Sequence, residues 1–148
     1  MNGWRKLALA DFEAGLKTDQ GPNRADLLLG RSYLLAMEGK IDEALASEAD
    51  YTKVSDGKPA AMLNYGTVYA QAFEAARRSR NTAKADDLLK RLLKLLENQT
   101  MRFPEKVRAN AWAAFQADEG FDPIRGIPAF VELNKKLSAV PPTKPTAP

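Results

Sequence analysis

The stretch LLLGRSYLLAMEGKIDEAL, residues 27–45, joins one leucine-rich helical pattern to the beginning of a second. It carries Gly30 inside the first pattern and Gly39 just before the second. A glycine in a helix interior costs roughly 1 kcal/mol relative to alanine, so two glycines this close indicate positions where a larger side chain would obstruct the backbone. We expect Gly30 to lie at a close approach of two helices and Gly39 to end the first helix in a left-handed conformation.

The spacing of this stretch recurs along the chain. An offset of 36 residues separates four pairs of identical residues: Gly30 and Gly66, Tyr33 and Tyr69, Gly3 and Gly39, and Ala8 and Ala44. Repetition at a fixed period of this size is typical of proteins built from repeated helix pairs. The sequence therefore predicts a two-helix unit that occurs more than once.

Apolar residues recur at helical spacing almost throughout, and strand-like alternation is absent. The pattern predicts an all-α protein of about seven helices. They are expected at residues 3–18, 23–38, 41–54, 58–79, 82–98, 104–118 and 128–139. Pro104, Pro123 and Pro128 are interpreted as first-turn prolines of the last segments. Residues 1–140 are predicted to form one helical domain, a fragment of a longer array, and residues 141–148 a proline-rich flexible tail.

The composition restricts the chemistry that the chain can perform. Its 148 residues include no cysteine and no histidine, and the net charge is +3. The usual general base, the thiolate nucleophile and most structural zinc ligands are therefore missing. Adjacent acids such as Asp42 and Glu43 point about 100° apart on a helix and cannot clasp one metal ion. We predict a non-enzymatic protein with no catalytic residue, metal or cofactor.

The hydropathy pattern bears on location. No apolar stretch reaches the roughly 18–20 residues that span a bilayer. The beginning of the chain carries acids in its first turns and no small-residue cleavage site, so it is a poor secretion signal. We expect a cytoplasmic protein without a membrane partner.

The motif Leu29-Gly30-x-x-Tyr33, followed by Ala44, resembles the tetratricopeptide repeat, in which the first helix of a pair carries Leu-Gly and Tyr and the second carries Ala. The resemblance covers roughly residues 3–98, and its unit of 36 residues exceeds the usual length of about 34. It implies antiparallel helix pairs stacked in a right-handed α-solenoid, with a concave groove for a protein or peptide partner. Within a pair, Gly30 and Gly66 would occupy the helix crossing, with Ala44 as the small residue on the facing helix.

The segment FDPIRGIPAFVELNKKL, residues 121–137, resembles the part that closes tetratricopeptide arrays attached to some bacterial serine/threonine kinases. The matching residues are Asp122, Pro123, Ile124, Arg125, Pro128, Phe130 and Leu133. This resemblance implies a bacterial protein in which the last helix caps the stack and covers its final apolar face. The glycine-rich loop, HRD and DFG motifs of a kinase do not occur in the chain.

One stripe of the first helix in each pair is expected to line the groove. The candidate residues are Arg24, Leu28, Arg31 and Leu35 in one unit, Asn64, Thr67 and Gln71 in the next, and Asn110 on a later helix. Arg, Asn and Gln can donate to the carbonyls and carboxylates of a peptide, while the leucines take its apolar side chains. Some tetratricopeptide modules clasp a C-terminal carboxylate with a particular set of Lys, Asn and Arg residues, and only Asn64 matches that set.

Two alternatives stay open. The first uses the basic stretch 77–94, whose members are Arg77, Arg78, Arg80, Lys84, Lys90, Arg91 and Lys94. This stretch either binds nucleic acid or another polyanion or is the solvated face of two helices, and no aromatic residue interleaves it to stack on bases. The second is self-association, because the chain begins within a repeat and leaves the apolar face of its first helix without a partner. That face consists of Leu7, Leu9, Phe12 and Leu16.

Overall fold

The computed structural model describes residues 3–139, so the predicted flexible tail at 141–148 lies outside them. Within residues 3–139 the chain forms eight α-helices, one 3-10 helix and no strand, which confirms the all-α prediction. The α-helices are α1 (Gly3–Thr18), α2 (Arg24–Met37), α3 (Ile41–Leu45), α4 (Glu48–Val54), α5 (Pro59–Arg78), α6 (Thr82–Met101), α7 (Glu105–Gln116) and α8 (Pro128–Ser138). The 3-10 helix is Glu119–Ile124.

Local residues account for several helix ends. Pro59 and Pro128 lie in the first turns of α5 and α8, where the missing amide hydrogen costs nothing. The side chain of Asn81 accepts the Lys84 amide at 3.1 Å and caps α6. Gly39 follows α2 with a φ of +80°, so the prediction of a left-handed helix end is confirmed.

The single helix predicted at 41–54 is wrong, because Ala46 and Ser47 form a turn between α3 and α4. In a continuous helix the carbonyl of Ala44 would accept the amide of Glu48. That carbonyl accepts the buried hydroxyl of Tyr65 at 3.0 Å, at the point where the helix is interrupted. The helix is thus interrupted where a hydrogen bond from α5 occupies one of its carbonyls. The apolar spacing of residues 41–54 does not reveal this interruption.

The longest helices pack in the order α1, α2, α5 and α6, which we call the helical row. Along α1 and α2 the contacts run in opposite directions, since Gly15 faces Leu27 while Gly30 faces Phe12. These two helices are therefore antiparallel.

The other neighbours in the helical row follow by the same reasoning. Gly66 of α5 faces Leu96 of α6, and Arg91 of α6 donates to the Tyr69 hydroxyl, so α5 and α6 are antiparallel. Arg78, at the end of α5, donates to the carbonyl of Met37, at the end of α2. Since the C-terminal ends of α2 and α5 lie together, these two helices run in the same direction.

The two repeated glycines lie at close approaches, as predicted, but Ala44 is not their nearest neighbour. A Cβ on Gly30 would lie 2.4 Å from the ring of Phe12, and a Cβ on Gly66 would lie 3.0 Å from Leu96. The pairing with Ala44 is wrong because the helix that approaches Gly30 most closely is α1. In the second unit the approach comes from α6 and from Phe121 of the 3-10 helix, 3.2 Å from that Cβ.

Residues 105–138, the closing segment, pack against the C-terminal side of the helical row. Helices α7 and α8 contact α6, and the 3-10 helix contacts α5. Trp112 is fully buried, and its indole nitrogen donates to the side-chain oxygen of Asn134 at 2.8 Å. Its ring lies 6.1 Å from that of Phe130, which in turn lies 6.4 Å from that of Phe121. Trp112, Phe130 and Phe121 thus form one continuous part of the core.

The prediction that Pro123 begins a final helix is wrong, because it lies inside the 3-10 helix. A proline has no amide hydrogen to donate to the carbonyl three residues earlier, which belongs to Gly120. That carbonyl accepts a hydrogen bond from Nε2 of Gln71 at 3.2 Å. A side chain of α5 thus takes the place of the backbone donor that the proline lacks.

Candidate functional site

The groove predicted along α2 is not open at its two leucines. Leu28 and Leu35 are 5% and 1% exposed and belong to the hydrophobic core. The prediction that they contact a bound peptide is therefore wrong. Their stripe on α2 faces other parts of the chain, because α2 is packed against α1, α3, α4 and α5.

The equivalent stripe on α5 is covered by the 3-10 helix. Gln71 is buried and donates to the Gly120 carbonyl, and a Cβ on Gly120 would lie 2.6 Å from the Thr67 methyl. The prediction that Thr67 and Gln71 line an open groove is wrong for the same reason as on α2: this stripe is a packing surface. Sequence periodicity did not reveal what covers these positions.

The polar groove candidates have different surroundings. Arg24 is half-buried, and its Nη1 donates to the carbonyl of Leu16 at 2.9 Å, so it secures the end of α1. Arg31 lies 3.6 Å from the carboxylate of Glu13 and makes a second contact to α1. Asn64 and Asn110 are exposed, on α5 and α7 respectively. The eight residues therefore do not form one continuous binding surface.

The basic stretch is partly neutralised by neighbouring carboxylates. Arg77 and Arg78 both approach Glu74, at 2.9 and 4.0 Å, and Lys84 Nζ lies 2.9 Å from Asp42. Arg91 has acidic neighbours on α4 and on its own helix. Within residues 3–139, the three remaining members, Arg80, Lys90 and Lys94, are exposed and without an ion pair.

A cleft between α4, α5 and α6 brings together residues that sequence reasoning did not connect. Tyr69 donates its hydroxyl hydrogen to Glu48 at 2.7 Å and accepts from Nη2 of Arg91 at 2.7 Å. Burial and the adjacent Glu48 carboxylate raise the pKa of Tyr69. The three residues come from three helices, and the only signal in the sequence was the repeated tyrosine.

Helix α1 presents a second surface of interest. No residue of α1 is buried, and Trp4 and Leu7, one helical turn apart, are 59% and 69% exposed. The exposure of Leu7 agrees with the predicted apolar face. The inclusion of Leu9, Phe12 and Leu16 in an unpartnered face is wrong, because Phe12 contacts Gly30 and the other two pack against the core. Sequence reasoning missed Trp4.

Tyr51 and Tyr65 are structural. Burial raises the pKa of Tyr51 and of Tyr65 to about 12 each. Their hydroxyls donate to the carbonyls of Ala61 at 2.9 Å and Ala44 at 3.0 Å, which ties helix α4 and helix α3 to α5. Each phenol is thus a protonated hydrogen-bond donor at neutral pH.

Within residues 3–139, no group of three or more His, Cys, Asp or Glu residues could hold a metal ion. No helix in this range is both long enough and apolar enough to cross a membrane.

Comparisons with protein-family models, with curated proteins and with solved structures found no match to this chain.

Proposed function

We propose that the chain is a non-enzymatic scaffold of the tetratricopeptide type that binds a protein partner through the outer face of α1. The observation that carries the proposal is the exposure of Trp4 and Leu7 side by side on that face. Burying a leucine side chain contributes about 1.5–3 kcal/mol, and tryptophan is enriched among residues that dominate binding energy. The predicted concave groove is not retained as the binding surface, since its stripes on α2 and α5 are packed.

The arrangement of the helical row supports the tetratricopeptide assignment. In the predicted unit that begins with α2, this helix packs against α3 and α4, and in the next unit α5 packs antiparallel to α6. The first helices of the two units, α2 and α5, run in the same direction, as in a stack of helix pairs. The proposal includes a bacterial source and a cytoplasmic location, and fractionation of cells that express a tagged chain would test the latter.

Self-association is the second candidate, and it uses the same face. Two copies related by a two-fold axis would bury Trp4 and Leu7 of each copy in one interface. Light scattering of the purified chain over a range of concentrations separates the candidates. A mass that rises with concentration in the wild type but not in Leu7→Glu supports self-association, whereas a monomer throughout supports a different protein as partner.

The partner proposal is tested with immobilised wild-type chain and two charge variants at exposed positions, Leu7→Glu and Lys106→Glu. We expect specific binding proteins, identified by mass spectrometry and confirmed by titration of the purified protein, to be lost from Leu7→Glu and retained by Lys106→Glu. A charge in the centre of an apolar interface costs several-fold to a hundredfold in affinity, because it must be desolvated without a partner. Equal binding by both variants would rule out the α1 face.

A further inference from the structure

We infer that the cleft between α4, α5 and α6 is a binding site for a peptide segment that carries an acidic side chain next to an apolar one. The cleft has a volume of 310 Å³, at the small end of the range found for ligand sites. It lies on helices other than α1, so the inference does not depend on the proposed function of the α1 face.

Arg91 is held in place for such a ligand. Its guanidinium carbon lies 5.1 Å from the centre of the Tyr69 ring, and Nη2 donates to the Tyr69 hydroxyl at 2.7 Å. A guanidinium that is already oriented loses less conformational entropy when a carboxylate binds to it. This contact uses one of its five N–H donors, and the side chain remains 47% exposed.

The acids near Arg91 leave room for another carboxylate. Its Nη2 is 3.7 Å from Glu48 and its Nη1 is 3.9 Å from Asp87, both longer than a hydrogen bond. Glu48 accepts its short hydrogen bond from Tyr69. A ligand carboxylate can therefore form the paired hydrogen bonds that arginine favours without displacing the Tyr69 contact.

Lys94 offers a second cation to an acidic group. It lies three residues after Arg91 in the cleft lining, is exposed, and forms no hydrogen bond or ion pair with residues 3–139. Glu48 and Asp87 both lie near Arg91, so Lys94 is the lining cation without an acidic neighbour. An incoming carboxylate can therefore contact both Arg91 and Lys94.

The remaining lining favours a peptide over a nucleic acid. Met62 and Leu95 form an apolar wall, and the amides of Asn98 and Gln99 can pair with peptide backbone groups. The one aromatic ring of the lining, that of Tyr69, is 2% exposed and lies beneath Arg91, so it offers no surface on which a base could stack. We therefore expect an acidic residue flanked by aliphatic side chains.

The probes are two pools of acetylated and amidated pentapeptides. Each pool has Leu, Ile, Val or Met on either side of a central residue, which is Glu in one pool and Gln in the other. We expect the Glu pool at millimolar concentration to shift the backbone amide signals of residues 91–99 in the isotope-labelled chain, and the Gln pool to shift them much less. Equal shifts from both pools, or no shifts in this range, would overturn the inference.

Three variants complete the test. Arg91→Gln should weaken binding of the Glu pool at least about tenfold, and Lys94→Gln about threefold. Lys106→Gln on α7 should leave it unchanged. If Arg91→Gln does not fold, Lys94→Gln still tests the inference, because Lys94 is exposed and its substitution should not disturb the fold. Oligothymidine that binds the cleft more tightly than the Glu pool would overturn the inference in favour of a polyanion site.

Discussion

The two ends of the helical row are closed in different ways. At the C-terminal end, α7, the 3-10 helix and α8 cover α5 and α6, and Trp112, Phe121 and Ile124 are fully buried. At the other end α1 has no buried residue, and its outer face shows Trp4 to solvent. The chain thus holds one tryptophan that stabilises an end and one that is available to a partner. The same residue type thus stabilises the fold where the described chain buries it, as at Trp112, and offers a contact surface where it stays exposed, as at Trp4.

The largest expected effect separates the two tryptophans. Trp112→Ala removes a fully buried ring and its hydrogen bond to the Asn134 side chain, so the free energy of unfolding should fall by about 3–5 kcal/mol. Trp4→Ala should change it by no more than about 0.5 kcal/mol. Urea unfolding followed by circular dichroism measures both. Similar losses in the two variants would mean that α1 is covered as completely as the closing segment.

A smaller effect tests whether the two ends of the helical row unfold together with the core between them. Burial raises the pKa of Tyr65 from 10 to about 12, so the unfolded chain loses this proton at lower pH than the folded chain. Stability is therefore complete below pH 10 and falls as the pH rises toward about 12, by about 2–3 kcal/mol from this residue.

The fluorescence of the two single-tryptophan variants, Trp4→Phe and Trp112→Phe, reports each end during this alkaline titration. Transitions at the same pH are expected if the core between the ends unfolds as one unit. A closing segment that survives after α1 has been released would contradict that expectation.

The smallest effect compares two close glycine contacts. Gly120→Ala would place a Cβ 2.7 Å from the Thr67 Cβ, which is fixed to the backbone of α5, so we expect a loss of about 1–3 kcal/mol. The three atoms nearest to the added Cβ of Gly30→Ala are outer ring atoms of Phe12. Since α1 lies at the uncovered end, that ring can turn outward, and the loss should stay below about 1 kcal/mol. The melting temperatures of the two variants show which substitution destabilises the fold more.

The control for both glycine variants is Gly126→Ala, whose Cβ would have no atom within 4 Å. It should leave the melting temperature nearly unchanged. A greater loss of stability for Gly30→Ala than for Gly120→Ala would mean that α1 is packed more rigidly than the 3-10 helix.

Local features of the sequence predicted most helix boundaries, since capping residues, prolines and apolar spacing act over a few residues. The bounds of α1 match the predicted 3–18, and Gly39 ends α2 as expected. The break at Ala46 was not predictable in this way, because it coincides with a hydrogen bond from Tyr65, 21 residues later. Local periodicity carries no information about such a distant donor.

The surfaces were less predictable than the helices. The stripes on α2 and α5 were chosen from the predicted repeat, but burial depends on which element lies across each stripe. For Gln71 that element is 49 residues away in the chain, at Gly120. The cleft residues Glu48, Tyr69 and Arg91 likewise become neighbours only when three helices meet. The spacing of residues within one helix therefore indicates which of them share a face, but not which element packs against that face.

Pro123 affects how the 3-10 helix is aligned on α5. Because its ring nitrogen bears no hydrogen, the 3-10 helix presents the Gly120 oxygen to one amide on α5, that of Gln71. Sliding the segment by a single residue in either direction would separate this acceptor from its donor and bring a bulkier residue than glycine against Thr67. An imino acid that weakens its own short helix thereby fixes the alignment of the 3-10 helix on α5.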